Sequence, residues 1–105
     1  MITRFDLFCM IYYLLDLCYD DNNEEVLGEY LSDANPFIFD GEGSADSVIY
    51  NEFSKTNPEM IDLSESYDIA MRYIQNLNLG NCTNLALSMS QDEWDNALRK
   101  YLQDK

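Results

Sequence analysis

Residues 5–19 read FDLFCMIYYLLDLCY, an apolar run from Leu7 to Leu15 bracketed by Asp6 and Asp16. A helix that is hydrophobic on nearly every side is normally buried on nearly every side. Thr3 stands where an N-cap belongs, and Asp6 follows three residues later in the position of a capping-box acid. The segment therefore reads as a central helix, running to about Tyr19, against which the rest of the chain packs. The alternative for this helix is an exposed face that closes a homodimer. The run is too short for a membrane span, which needs about 20 apolar residues. Arg4 is the one base ahead of it and no small-residue cleavage site follows, so it does not read as a signal peptide. The expected location is cytoplasmic, where the acceptor-like Asn81-Cys82-Thr83 has no meaning.

Beyond this helix the chain turns acidic. Asp20-Asp21-Asn22-Asn23 is a turn cluster, and a second helix is predicted from about Glu24 to Ala34. Val26, Leu27, Tyr30, Leu31 and Ala34 share one half of its wheel, leaving Glu24, Glu25, Gly28, Glu29, Ser32 and Asp33 on the other. Asn35-Pro36 ends it, because the residue before proline is pushed out of the α region. Phe37, Ile38 and Phe39 then read as an apolar strap over the core. After the acidic run 40–44, Ser44 is placed to cap a third helix over 45–54, with Ala45, Val48, Ile49 and Phe53 inward and Tyr50 outside that stripe. Asn57-Pro58 stops it.

Ser64 starts a fourth helix with Tyr67, Ala70, Met71, Ile74 and Leu77 at helical spacing, and Gly80 is its expected stop. Residues 81–89 fit either a strand or a helical turn, of which the turn is preferred. Ser90-Gln91-Asp92-Glu93 is a full capping box for a last helix with Trp94, Ala97, Leu98, Tyr101 and Leu102 inward. The predicted fold class is all-α: one domain over 1–105, a compact bundle of about five helices around a very apolar N-terminal helix.

Composition narrows the function. Twenty acids against six bases give a net charge of −14, while 47% of residues are hydrophobic, too apolar a chain for disorder. Fifteen of the acids and a single base, Lys55, fall between Asp16 and Asp68, so the whole excess sits mid-chain. A surface of that sign disfavours bare nucleic acid and anionic membranes and favours a basic protein partner. The chain has no histidine, which removes the commonest general base and zinc ligand. With no glycine-rich phosphate cradle either, neither catalysis nor a cofactor is expected. Residues 40–46 alternate oxygen donors as a calcium loop does, but Ala45 and Asn51 occupy positions where an EF-hand needs glycine and a bidentate acid, so the run reads as an acidic connection. Cys9, Cys18 and Cys82 lack the close spacing of a metal clip and read as small buried hydrophobes.

The stretch LSDANPFIFDGEGSADSVIY, Leu31 to Tyr50, resembles small acidic bacterial proteins without an assigned activity. In size, helicity and acidity the chain also resembles the helical immunity proteins that neutralise nuclease toxins, in which an acidic second helix leads to a short third helix bearing an acid and a Tyr-Tyr-Pro sequence. Asp46-Ser47-Val48-Ile49-Tyr50-Asn51 supplies the acid and one tyrosine, without the second tyrosine or the proline. Charge and resemblance together single out Glu24, Glu25, Glu29, Asp33, Asp40, Glu42, Asp46 and Tyr50 as a partner-binding surface that occludes a basic patch, with Tyr50 as its exposed aromatic. The alternative is an adaptor that docks through apolar helix faces or through the 37–39 strap.

Overall fold

Thr3 turns the chain into its first helix. Its Oγ1 accepts a hydrogen bond from the Asp6 N–H at 3.0 Å, satisfying one of the donors a helix start leaves open. The computed structural model describes residues 1–38 and 41–104. In it α1 (Arg4–Asn22), α2 (Glu25–Ala34), α3 (Ser47–Thr56), α4 (Leu63–Leu77), α5 (Asn84–Leu87) and α6 (Gln91–Asp104) are the α-helices, with a 3-10 turn at Gly80–Thr83. The chain is mainly helical, as its periodicity implies, with one more α-helix than expected because 80–87 forms the 3-10 turn followed by the single turn α5.

The small sheet was not expected. β1 (Ile2–Thr3) pairs antiparallel with β2 (Met60–Ile61), setting Ile2 opposite Ile61, and both isoleucines are buried. Two-residue strands carry too little alternation to be read from sequence.

α1 supplies much of the core through Leu7, Phe8, Ile11, Leu15 and Cys18, and α2, α3, α4 and α5 pack against it. It is not buried on every side: Tyr13 is 46% and Leu17 59% exposed. The other helices are too few and too short to enclose it completely. At its end Asn23 adopts the left-handed conformation, φ 55°, and donates its N–H to the Tyr19 carbonyl.

α2 docks through a narrower stripe than expected, Leu27, Leu31 and Ala34, with Val26 turned to solvent. α3 is rotated relative to the wheel read from sequence, so that Val48 is exposed and Tyr50 buried. The cause is aromatic packing. Tyr50 meets Phe5 and Phe8 edge-on at centroid distances of 5.4 and 5.2 Å, and an aromatic ring gains more from burial than a valine. Asp46, not Ser44, caps α3, its Oδ1 accepting from the Val48 N–H. Ser44 is buried beneath, donating its hydroxyl to the Asp46 carbonyl and accepting from the Tyr50 N–H.

Asp62 likewise replaces Ser64 as the cap of α4; the Ser64 N–H and hydroxyl both donate to its carboxylate and hold that carboxyl below the usual range. Asn78, in the left-handed region, closes this helix ahead of Gly80. The capping box of α6 is complete: Glu93 N–H donates to Ser90 Oγ at 3.2 Å, and Ser90 N–H donates to Glu93 Oε1 at 3.0 Å. Trp94 is fully buried and its Nε1–H donates to Ser66 Oγ at 2.8 Å. Leu102, assigned inward, lies at the partly exposed end of the helix.

Candidate functional site

The acidic face of α2 is where the sequence places it. Glu24, Glu25, Glu29 and Asp33 are all exposed, opposite the Leu27–Leu31–Ala34 stripe. Glu25, Glu29 and Asp33 follow one another at i, i+4, and each like-charged pair at that spacing costs a helix about 0.2–0.5 kcal/mol. Among the described residues the ion pair present is Lys55–Glu52, 3.5 Å apart on another helix, so no base among them is paired with the row on α2.

α1 and α2 enclose a groove of about 540 Å³ beside this row, walled by Tyr12, Asp16 and Tyr19 from α1 and by Glu25, Gly28 and Glu29 from α2. Tyr12, Asp16 and Tyr19 stand at i, i+4, i+7 and so share one side of α1. That spacing was the signal in the sequence for these three, which the emphasis on an all-round apolar helix passed over. Burial, with the Asp16 carboxylate nearby, pushes the Tyr12 hydroxyl above its ordinary pKa, so this ring stays neutral in the groove. Gly28 is not simply on the solvent side. A Cβ there would stand 2.8 Å from Cε1 of Tyr19, so the bare backbone is what lets the ring lie across α2.

At the far end of α2 the chain folds back on itself. The Asp46 N–H donates to the Asp33 carbonyl at 2.7 Å and the Ala45 N–H to the Asn35 carbonyl at 2.9 Å. This brings the start of α3, with Asp46, against the end of α2, with Asp33. Glu42 joins them by accepting a 3.3 Å hydrogen bond from the Tyr50 hydroxyl. Asp40 lies outside the described residues, as does Phe39 of the strap, so residues 40–46 are described in part.

Tyr50 is therefore a correction. It is 7% exposed, a core aromatic and not a contact residue, and its role is to hold Glu42 from below. Burial raises its pKa, the Arg4 guanidinium acts against that rise, and Glu42 adds to it. The strap is corrected in the opposite sense: Phe37 and Ile38 are 51% and 58% exposed. Phe37 leans on Tyr12 and Tyr13 at centroid distances of 5.7 and 5.3 Å while Pro36 takes the buried position.

At the other end of α2, Glu24 faces the 3-10 turn. Burial, then the Glu24 charge, pushes the Cys82 thiol up, and its Sγ donates to the Leu79 carbonyl. Cys9, Cys18 and Cys82 are all buried. Among the described residues no group of three or more His, Cys, Asp or Glu is arranged to hold a metal ion, and no helix is long and apolar enough to cross a membrane.

The structure thus brings together two acidic groups joined by α2: Glu25 and Glu29 with Asp16 at the groove, and Asp33, Glu42 and Asp46 at the helix end. α2 is ten residues long, so the two groups are separated by about 15 Å at most along its axis. No family model matches this sequence, and comparisons with curated proteins and with solved structures return no similar protein.

Proposed function

We propose that this chain is a non-catalytic acidic binding module that occludes a basic surface of a partner protein, in the manner of an immunity protein, an inhibitor or a nucleic-acid mimic. The observation that carries the reading is the row Glu25, Glu29 and Asp33, extended by the exposed Glu24. Its repulsion costs helix stability, no base among the described residues is paired with it, and a partner's lysines and arginines would relieve it on binding. Carboxylates presented along α2 and at its end would stand where a phosphate backbone otherwise sits, and a field of one sign raises the association rate.

The test is the triple reversal Glu24→Lys, Glu25→Lys and Glu29→Lys. All three side chains are exposed, so the fold should persist, with a few tenths of a kcal/mol lost where lysine opposes the helix dipole. The affinity for proteins captured on the immobilised chain at low salt should fall steeply as salt rises to physiological strength. The association rate with the purified captured protein should fall about tenfold or more for the reversed variant. Capture that is indifferent both to salt and to the reversal rejects the electrostatic reading. It would transfer the function to the adaptor alternative, which the exposed Phe37 and Ile38 favour.

A further inference from the structure

On the side of α1 away from α2 lies a second groove, of about 400 Å³, between α1 and α6. Its α1 wall is Met10, Tyr13, Leu14 and Leu17; Trp94 lines its depth, and Ala97 and Tyr101 face it from α6. In contrast to the acidic groove its lining is almost wholly apolar, with Lys100 and Asp104 on the α6 side. Leu17 is 59% and Tyr13 46% exposed, so the apolar surface continues out of the groove along α1. Tyr13 touches both Tyr101 and Phe37, at centroid distances of 6.2 and 5.3 Å, which joins the groove to the exposed strap residues.

Helix geometry sets the charge beside it. At 100° per residue, Asp16 and Asp20 fall next to Tyr13 and Leu17, three residues from one or the other, on the flank that leads round to the acidic groove. The outer surface of α1 therefore passes from apolar to acidic across its width. From Met10 to Leu17 the apolar strip is about 10 Å long, two helical turns, the span of anchor residues at i, i+3 or i+4, and i+7 on an incoming helix.

We propose that the α1–α6 groove receives an amphipathic helix of the partner protein, with its apolar stripe on Tyr13, Leu14 and Leu17 and its lysines or arginines over Asp16 and Asp20. This deepens, and rests on, the reading of a basic partner. Charge complementarity selects the occupant. The α6 side carries one charge of each sign, Lys100 and Asp104, whereas the α1 side carries two acids, Asp16 and Asp20, so the partner's bases go to the α1 side. A second copy of this chain would bring another net −14 and set Asp16 and Asp20 against carboxylates.

The experiment titrates the full chain with two synthetic helical peptides of equal positive charge, one with a leucine stripe flanked by lysines and one with alanine in place of each leucine. Binding is followed by amide chemical shifts. The leucine peptide should bind about tenfold or more tightly than the alanine peptide, with shifts centred on residues 10–20 and 97–104. Leu17→Gln should weaken it by a similar factor. Leu17→Glu should weaken it too, although that variant is more negative and a purely electrostatic contact would hold or tighten. Leu17 is exposed enough for both variants to fold, which their unperturbed spectra elsewhere would verify. Salt-sensitive binding of both peptides alike, unaffected by Leu17, overturns the groove and leaves the acidic reading standing. Failure of both peptides to bind overturns the groove and the acidic reading together. A dimer dispersed by Leu17→Glu would give the groove to a second copy and overturn the proposal.

Discussion

Gly28→Ala separates helix propensity from packing. In a helix interior alanine is better than glycine by about 0.5–1 kcal/mol, and the amphipathic pattern of α2, with Gly28 among the acids, predicts that the substitution stabilises. In the structure the new Cβ would meet Tyr19 Cε1 at 2.8 Å, with Cζ at 3.3 Å and the hydroxyl oxygen at 3.4 Å. Carbon atoms settle at about 3.5–4.0 Å, so the ring must move by several tenths of an ångström. It is half-buried and opens onto the groove, so it can swing, at about 0.5–1.5 kcal/mol for leaving its rotamer. The two effects nearly cancel, and Gly28→Ala alone should change stability by less than about 0.5 kcal/mol. With Tyr19→Ala already in place the obstacle is gone and the same substitution should stabilise by about 1 kcal/mol, or about 4 °C in Tm. Thermal and urea denaturation of the wild type, the two single variants and the double variant would then give a coupling of about 1 kcal/mol. A full gain from Gly28→Ala in the wild-type background would refute the close approach of ring and backbone. A loss in both backgrounds would refute the helix at this position.

Three further predictions test the core, the tyrosines and the last helix. Ser66→Ala leaves the fully buried Trp94 Nε1–H without its acceptor and should destabilise by about 1–3 kcal/mol; a change within experimental error in urea denaturation would mean another acceptor takes over. The Tyr30 and Tyr73 hydroxyls lie 2.7 Å apart, and burial raises both above the ordinary 10.0. Groups with raised folded pKa contribute stability that is present below pH 10 and lost as pH rises beyond it, by about 1.4 kcal/mol per pH unit per tyrosine kept neutral in the fold. Tyr30→Phe should therefore cost about 1 kcal/mol at neutral pH yet flatten the alkaline decline, and parallel declines in the two proteins would count against the buried pair. The Ser90 backbone N–H, then its side chain, holds the Glu93 carboxyl below its ordinary 4.5, so the box contributes above that pH and is lost as pH falls through the lowered value. Ser90→Ala should cost about 1 kcal/mol at neutral pH and reduce this acid sensitivity, which denaturation at neutral and at acid pH would show.

What the sequence made legible is what local chemistry decides. The Thr3 cap, the acidic face of α2, the stops at 35–36 and 57–58 and the Ser90–Glu93 box each depend on residues within one turn of one another, and each stands in the structure. Errors arose where a distant partner sets the rotation of a helix. α3 has apolar residues on two sides, and its own pattern does not say whether Val48 or Tyr50 goes inward; Phe5 and Phe8, more than forty residues away, decide it. Ser66 lies on the inward side of α4, four residues before Ala70, where a serine gives no apolar signal, and its Oγ accepts from the buried Trp94 Nε1–H. Of the eight residues assigned to the site, Tyr50 is wrong, Asp40 is outside the described residues, and the other six are the four exposed acids of the α2 row together with Glu42 and Asp46 at its end.

The N-terminal helix shows why composition alone misled. A segment apolar on every side implies a complete shell of neighbours, but a domain this small has limited material with which to build one. α2, α3, α4 and α5 pack against part of α1, and Tyr13, Leu17 and Asp20 stay at the surface. An apolar strip left open on a free chain invites self-association. Asp16 and Asp20 beside Leu17 oppose it, because a second copy must bring its own acids to the same seam, while a basic helix meets them with opposite charge. Under the proposed reading the acidic excess and the open strip on α1 act together: the charge would oppose a second copy and select a basic partner, and the strip would supply the apolar area that charge alone does not.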